Sequence, residues 1–362
     1  MLEPFQGCRR PLAGLVLVAL AASGCFRMDP KLRPDPGVAP LSPHDSAYGK
    51  TLEVRYLGTG GYLLQRGDHA IATGPFYSSP RWLRVGFATI KPDTALIDRL
   101  HPRLPEGTLG AILIGHAHYD HLLDVPYIAR KYHPRTVIYG SPSAQRLALA
   151  SEPSLKGRVV GLDDEVSRNG VPGQWQYTAG GRIRFMAIAT VHNDHMIGFR
   201  VMKGKVRPNL KRVPRSAWGW KEGETLAYLI DFLGPDGKQV DFRIYYADVA
   251  PPGDTGLPPT LEEGDRHRID LALLSLSLQW VSPGYPVVFL QAHQPRLVIG
   301  GHWESIFRNP ARGPRRLRVS DIETFAKVVT AHLAPDGKWL LANPGAIYRL
   351  APAPQAEAYR RE

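Results

Sequence analysis

Cysteine is almost absent from this chain. Its two cysteines, Cys8 and Cys25, both lie near the amino terminus, so the rest of the chain contains no thiol. A disulfide framework is therefore excluded for the folded part, and so is a metal site built on thiolates. Any metal ion must be held by histidine, aspartate or glutamate side chains.

Long apolar runs and long basic runs are also missing. The apolar stretch at residues 12–22 is too short to span a bilayer stably. No run of lysine and arginine is long enough for a nucleic-acid-binding arm, so we expect no nucleic-acid partner. The net charge of +12 indicates either an anionic partner, such as a phosphate-bearing substrate or a membrane surface, or a surface that is simply well solvated.

What the chain does contain is enough apolar sequence for a sizeable core, with many turns. It has 362 residues, 43% of them hydrophobic, with 36 glycines and 33 prolines. Helix-like stretches at 121–131, 143–149 and 319–332 alternate with strand-like runs, and residues 234–238 form a turn between two strands. This order predicts a layered α/β fold. The strand-like runs are 52–56, 61–65, 111–114, 136–139, 183–189, 226–232, 242–246, 271–276, 297–299 and 346–350.

The amino-terminal segment is typical of an export signal. Arg9 and Arg10 precede the apolar stretch, and the sequence from Leu20 to Cys25 resembles a bacterial lipobox, in which the cysteine is lipidated. Ala22 departs from the leucine usual at that position, and an ordinary secretory signal is the alternative. We expect a signal peptide at 1–24, a proline-rich tether at 25–50, one catalytic domain at 51–350 and a flexible tail at 351–362.

One short motif carries most of the chemical information. His116, His118, Asp120 and His121 lie within six residues, directly after the strand-like run 110–114. The two alternate histidines can face one ion, and the next two ligands can face a second. Neutral imidazole and carboxylate suit zinc and related divalent ions.

This motif resembles the His-x-His-x-Asp-His hallmark of the metallo-β-lactamase superfamily, and later elements resemble that family in the expected order. A histidine follows the strand-like run at 185–191, where His192 is preferred and His195 is the competitor. Asp248 follows an apolar strand, although Ala247 replaces the usual glycine. The Gly-His-Trp sequence around His302 resembles the branch that includes ascorbate-lactone hydrolases and the phospholipase D acting on N-acyl ethanolamine lipids.

The resemblance implies a four-layer αββα sandwich and a dinuclear site holding two divalent ions, with zinc favoured over manganese or iron. The nucleophile would be a hydroxide bridging the two ions, oriented by Asp120 as the catalytic residue. The implied ligands are His116, His118 and His192 for one ion, Asp120, His121 and His302 for the other, and Asp248 bridging them.

One departure from the family pattern concerns the support of the site. Relatives commonly carry an aspartate after the second strand, but this chain has Gly74 between Thr73 and Pro75. Because outer carboxylates orient metal ligands, we expect weaker or differently supported metal binding.

The substrate is the property that the sequence determines least. The segment 202–215 holds six basic residues and is followed by Trp218 and Trp220, so it is either a phosphate-binding loop beside an apolar pocket or a solvated loop beside core tryptophans. With a lipid anchor at Cys25 and a place in the bacterial cell envelope, facing the periplasm, a phospholipid-like phosphodiester is the first expectation. A lactone or other ester is the alternative substrate, and β-lactams are disfavoured. A non-catalytic metal- or ligand-binding lipoprotein remains open, whereas His118 disfavours a redox di-iron protein.

Overall fold

The computed structural model describes residues 32–195 and 200–353. Cys25, the signal at 1–24 and most of the tail at 351–362 lie outside the described residues. Among the described residues, no helix is both long and apolar enough to cross a membrane.

Two mixed sheets of seven strands each form the centre of the fold. The first sheet has the order β14-β1-β2-β3-β4-β5-β6, and the second has the order β13-β12-β11-β10-β9-β8-β7. The strands of the first sheet are β1 Leu52–Gly58, β2 Gly61–Arg66, β3 His69–Thr73, β4 Leu109–Leu113, β5 Val137–Gly140, β6 Val159–Gly161 and β14 Ile347–Leu350. The strands of the second are β7 Gln176–Tyr177, β8 Ile183–Thr190, β9 Thr225–Leu233, β10 Val240–Ala247, β11 Leu271–Ser275, β12 Leu297–Gly301 and β13 Lys338–Leu341.

Helices cover the outer face of each sheet. In the described part of the chain they are α1 Trp82–Phe87, α2 Thr94–Leu100, α3 Tyr119–Leu122, α4 Val125–Lys131, α5 Pro142–Ser151, α6 Val287–His293 and α7 Ile322–His332. The first five pack on the first sheet, and the last two pack on the second.

Side-chain alternation along the strands builds the layers. On β4, Ala111 and Leu113 enter the core between the two sheets, whereas Ile112 enters the core beneath the helices of the first sheet. On β9, Tyr228 and Ile230 face the inter-sheet core. Because neighbouring residues of a strand point to opposite faces, a strand that is apolar on both faces can bind a sheet on one side and helices on the other. The four-layer αββα arrangement expected from the sequence is thereby confirmed.

The helix expected at 121–131 is interrupted. The structure has α3 ending at Leu122 and α4 beginning at Val125, with Pro126 in the first turn of α4. Proline has no N–H to donate to the preceding turn, so it begins a new helix more readily than it continues an old one. Between the two helices, Asp124 accepts hydrogen bonds from the backbone N–H groups of Tyr77 and Ser78.

The sequence pattern did not predict several short elements that the structure contains. These are β3, β6, β7, β13, α1, α2 and α6. Each has seven residues or fewer, so its apolar pattern has few repeats and gives a weak signal.

Residues 32–50 differ from the extended, unpacked tether expected there. The N–H of Asp35 donates to the carbonyl of Leu341, and Val38 pairs with Ile347 at the edge of the first sheet. Leu32 also packs against the outer core of the second sheet. The open edge of β14 offers unpaired backbone groups, and the proline-containing segment satisfies some of them.

Candidate metal centre

The first motif lies where β4 ends against the start of β9. The carbonyl of Gly115 accepts from Leu226 N at 2.7 Å, and the carbonyl of Ile114 accepts from the Tyr228 hydroxyl at 2.8 Å. After this crossing point the chain turns inward and then begins α3. The four side chains of the motif are all buried: His116, His118, Asp120 and His121.

The topology of the second sheet delivers the other three side chains. Strands β8, β10 and β12 run in the same direction, because β9 is antiparallel to both β8 and β10, and β10, β11 and β12 are parallel. Their carboxyl ends therefore meet at one edge of the sheet. His192, Asp248 and His302 follow these ends, and each is buried.

Three histidines form one half of the site. The ring centroids of His116, His118 and His192 are 4.6 to 4.9 Å apart. One nitrogen from each ring lies within 4.8 Å of the other two, so this trio can hold a metal ion. The trio matches the first expected ligand set, and its role as ligands stays a prediction.

The second half is built around Asp120. One carboxylate oxygen of Asp120 is 3.5 Å from Nε2 of His121 and 3.8 Å from Nε2 of His302. His116, Asp120 and His121 also form a group whose donor atoms lie within 4.8 Å of one another. The two halves are thus adjacent and share His116 at their boundary.

Asp248 lies between the two halves. Its Oδ1 is 3.2 Å from Nδ1 of His116, and its Oδ2 is 3.2 Å from Nδ1 of His121. A carboxylate in contact with both groups is in the position expected of a bridging ligand. All seven side chains singled out in the sequence are therefore brought together.

Several buried donor atoms of the cluster have no hydrogen-bond partner among the described residues. Nε2 of His118 and Nδ1 of His302 are examples. Burying a polar atom without a partner costs free energy, and native structures rarely leave several in one place. A cation within the cage would supply the missing interactions, so the residues present fit a metal centre.

The electrostatics of the site favour neutral histidines. Burial lowers the pKa of His192 to about 3 and that of His302 to about 4. Burial, together with the neighbouring histidines, also holds the pKa values of His116 and His118 well below 6.5. A neutral imidazole offers a lone pair to a metal ion at physiological pH.

The two carboxyl groups respond in the opposite direction. Burial raises the pKa of Asp120 to about 6, and burial also raises the pKa of Asp248. A nearby cation favours the charged carboxylate and opposes this shift. Without a cation, keeping these two buried carboxylates charged therefore costs free energy. A bound divalent ion would offset this cost.

His195 lies beside the three histidines of the first half but is farther from them than they are from one another. Its ring stacks on that of His192 at 5.0 Å, but it is 6.1 Å from the ring of His118. Its Nδ1 accepts a hydrogen bond from Val201 N at 3.3 Å. The geometry thus groups His192 with the other histidines, and places His195 at the pocket wall beside it.

A buried tyrosine and glutamate support His302, and the ligand pattern alone did not single them out. The N–H of His302 donates to the Tyr56 hydroxyl at 2.7 Å, and that hydroxyl lies 2.8 Å from the carboxylate of Glu304. Thr59 N also donates to Glu304. His302 has φ of 55°, a left-handed conformation that is costly for a non-glycine residue. The signals available in the sequence were the position of Tyr56 at the end of the first strand-like run, 52–56, and that of Glu304 two residues after His302.

Gly74 is required by close packing. A Cβ at this position would lie 2.3 Å from the carbonyl oxygen of His121. The backbone after β3 therefore packs directly against the backbone of α3, and no side chain fits between them. At the position where the family resemblance implies an aspartate, this chain has a contact between main chains.

An apolar pocket opens onto the site. The cluster forms its floor, and its walls are largely hydrophobic. Trp218 lines this pocket and donates its indole N–H to Gly86 O at 3.0 Å, whereas Trp220 is buried in the core. Other apolar residues of the walls are Val85, Val201, Met202, Leu278, Ile306, Phe307, Leu317 and Val319.

The basic segment borders this pocket. Met202 lines the wall, and the following six basic side chains are exposed. The carbonyl of Arg215 accepts from Ile90 N at 2.9 Å, which joins the segment to the region after α1. A second basic stretch, residues 305–319, also contributes to the wall and contains five arginines and no acidic residue.

Comparison with known proteins gives matches in solved structures only. No family profile and no curated protein matches the sequence. Igni18, a metallo hydrolase from Ignicoccus hospitalis, is 15% identical with a TM-score of 0.46, and the match covers 83% of this chain and 98% of that one. The metallo-β-lactamase fold protein YhfI from Bacillus subtilis is 12% identical with a TM-score of 0.45, covering 83% of this chain and all of its own.

A third similar structure has a different chemistry. CmlA, a diiron β-hydroxylase from Streptomyces venezuelae, is 14% identical with a TM-score of 0.44, covering 83% of this chain and 54% of that one. The similarities at this level say nothing about the substrate or the metal of this chain.

Proposed function

We propose that this protein is a metal-dependent hydrolase that holds two divalent ions, with zinc favoured, and cleaves a phosphodiester of phospholipid type. The observation that carries the proposal is the seven-residue histidine and aspartate cluster at the floor of an apolar pocket. Neither the pocket nor the cluster alone would be sufficient, because apolar pockets and buried histidines both occur without catalysis.

The residues of the chain have distinct tasks in this reaction. Bound divalent ions would supply Lewis acidity and lower the pKa of water in the site. His116, His118 and His192 would hold one ion, Asp120, His121 and His302 the other, and Asp248 would contact both. Asp120 would also orient the attacking water and carry a proton to the leaving group.

The walls of the pocket support the proposed substrate class. Apolar side chains above the cluster suit an acyl chain or a similar hydrophobic group. Two basic stretches that contribute apolar residues to the walls, 202–215 and 305–319, suit the negative charge of a phosphate. A lactone or ester with an acyl chain fits the same walls but makes less use of these basic stretches.

The proposed place of action is the bacterial cell envelope. Lipidation of Cys25 would hold the domain at a membrane, facing the periplasm, close to phospholipid substrates. The support for this proposal is the lipobox-like sequence from Leu20 to Cys25.

Turnover of bis-p-nitrophenyl phosphate tests the catalytic proposal. We expect zinc-dependent hydrolysis that a chelator abolishes and added zinc restores. Asp120→Asn should lower kcat by about 10²- to 10⁴-fold, since it removes a proton-transfer group. The matched control is His44→Ala, because His44 is an exposed histidine far from the cluster in the chain.

Two outcomes would contradict the proposal. Full turnover by Asp120→Asn would exclude the mechanism. Stoichiometric zinc binding without hydrolysis of any phosphodiester, lactone or ester in a substrate panel would favour a non-catalytic binding protein.

A further inference from the structure

Three exposed large apolar side chains lie in segments that also line the pocket. In the described residues, Leu83 and Phe87 of α1 are 53% and 67% exposed, and Trp280 is 52% exposed. Leu83 and Phe87 flank the pocket residue Val85, and Trp280 follows the pocket residue Leu278 by two positions. Apolar exposure of this kind usually marks an interaction surface.

Helix α1 has apolar residues on both of its faces. Val85 points inward to the pocket wall and the core. Leu83 and Phe87 are four residues apart, so they share the opposite, exposed face. The indole of Trp218 bonds to Gly86 O, which fixes α1 to the pocket wall. The outward apolar face is therefore held beside the pocket.

The two chain segments that form this part of the surface are basic. Residues 79–92 contain three basic residues and no acidic one, and residues 201–216 contain six basic residues and no acidic one. None of these nine side chains forms an ion pair with a described residue. The hydrogen bond from Ile90 N to Arg215 O, 2.9 Å long, brings the two segments together.

We propose that this docking face, defined as α1 with residues 203–215, lies against an anionic lipid bilayer. Leu83 and Phe87 enter the boundary between headgroups and acyl chains, and the basic side chains contact the headgroups. The pocket then faces the bilayer, and a lipid can pass into it without crossing water. This inference rests on the proposed function, because it supplies the route of a phospholipid to the site.

The chemistry of the face favours a membrane over a protein partner. Amphipathic helices with basic residues and large apolar side chains bind in the interfacial plane of anionic bilayers. Each basic residue near such a surface adds to the electrostatic attraction between protein and bilayer. Protein interfaces, in contrast, are depleted in lysine at their centres, and residues 203–215 include three lysines.

A dye attached at position 87 tests the orientation directly. The full chain would carry Cys8→Ser and Phe87→Cys, with an environment-sensitive fluorophore on the new thiol and with Cys25 either lipidated or replaced by serine. The matched control places the dye by Tyr177→Cys, because Tyr177 is also 51% exposed but lies on β7, away from the pocket. Vesicles of phosphatidylglycerol and phosphatidylcholine would be compared with vesicles of phosphatidylcholine alone.

We expect a blue shift and a several-fold rise in emission at position 87 on anionic vesicles, with little change at position 177. Lys211→Gln with Arg212→Gln should weaken this response, whereas Lys156→Gln with Lys338→Gln should not. An unchanged spectrum at position 87, or equal changes at 87 and 177, would overturn the proposal. Zinc content would verify that each variant is folded.

The result is independent of catalysis. The dye responds to the bilayer without turnover, so a positive response with no hydrolysis would leave the docking face intact and remove the proposed activity. Hydrolysis of bis-p-nitrophenyl phosphate with no dye response would leave the proposed activity intact and overturn the docking face.

Discussion

At the scale of single residues, glycines allow the ligands to approach one another. A Cβ at Gly115 would lie 2.3 Å from Oδ2 of Asp248, and a Cβ at Gly60 would lie 2.9 Å from both Asp248 and His121. Side chains are therefore excluded from the backbone around Asp248. The lack of a side chain at Gly60 and Gly115 is therefore as specific to the site as the candidate ligands are.

Gly115→Ala tests this conclusion. We expect the added methyl group to displace the Asp248 carboxylate, to lower zinc occupancy, and to cost about 1–3 kcal/mol of stability through overpacking. Elemental analysis and urea denaturation would measure both effects. Gly264→Ala is the matched control, because a Cβ at Gly264 meets nothing within 4 Å. Full zinc occupancy in Gly115→Ala would show that the aspartate does not need this space.

At the scale of elements, the ends of β4, β8, β10 and β12 set the positions of the ligands. An ionic network holds three consecutive strands of the second sheet together. Asp231 on β9 lies 2.9 Å from Arg184 on β8 and 2.7 Å from Arg243 on β10. All three side chains are buried.

Asp231→Ala would leave two buried guanidinium groups without this partner. Because a broken buried ion pair costs about 3–5 kcal/mol, we expect a loss of stability near 3 kcal/mol, since Arg184 also contacts Asp265. The free energy of unfolding in urea would measure it. The control is Glu106→Ala, which breaks an exposed pair with Arg135 and should change stability little. Equal effects of the two variants would contradict the assigned role of the network.

At the scale of the whole molecule, the candidate metal centre joins the two sheets. His116, His118, Asp120 and His121 follow a strand of the first sheet, and His192, Asp248 and His302 follow strands of the second. An ion held by ligands from both sheets would oppose their separation during unfolding.

Metal removal should therefore destabilise the entire domain. Free zinc at about 100 times its dissociation constant would stabilise the folded state by about 2.7 kcal/mol, provided that it does not bind the unfolded chain. Thermal unfolding with zinc and with chelator would show this shift in the parent protein and in His44→Ala. In His118→Ala the zinc-dependent shift should be much smaller. An equal shift in His118→Ala would place the stabilising ion elsewhere.

The sequence itself determined the layered α/β class and the identity of the clustered side chains. Strand periodicity depends on neighbouring residues, and the first four ligands lie within six positions, so both are local properties. The longer strands, such as β8 and β9, were recognised for this reason. Several short elements, such as β7 and α1, were not, because they are stabilised mainly by packing against distant parts of the chain.

Only the tertiary structure decided that these residues meet in one site and how they are supported. The separation of His192 from His195, the contact of Tyr56 and Glu304 with His302, and the pocket position of Trp218 all join segments far apart in sequence. Gly74 gives the clearest case: the sequence shows a missing carboxylate, whereas the fold shows a backbone that approaches His121 too closely for any side chain. Such distances follow from how the two sheets and α3 pack, and a linear pattern of residues carries no information about that packing.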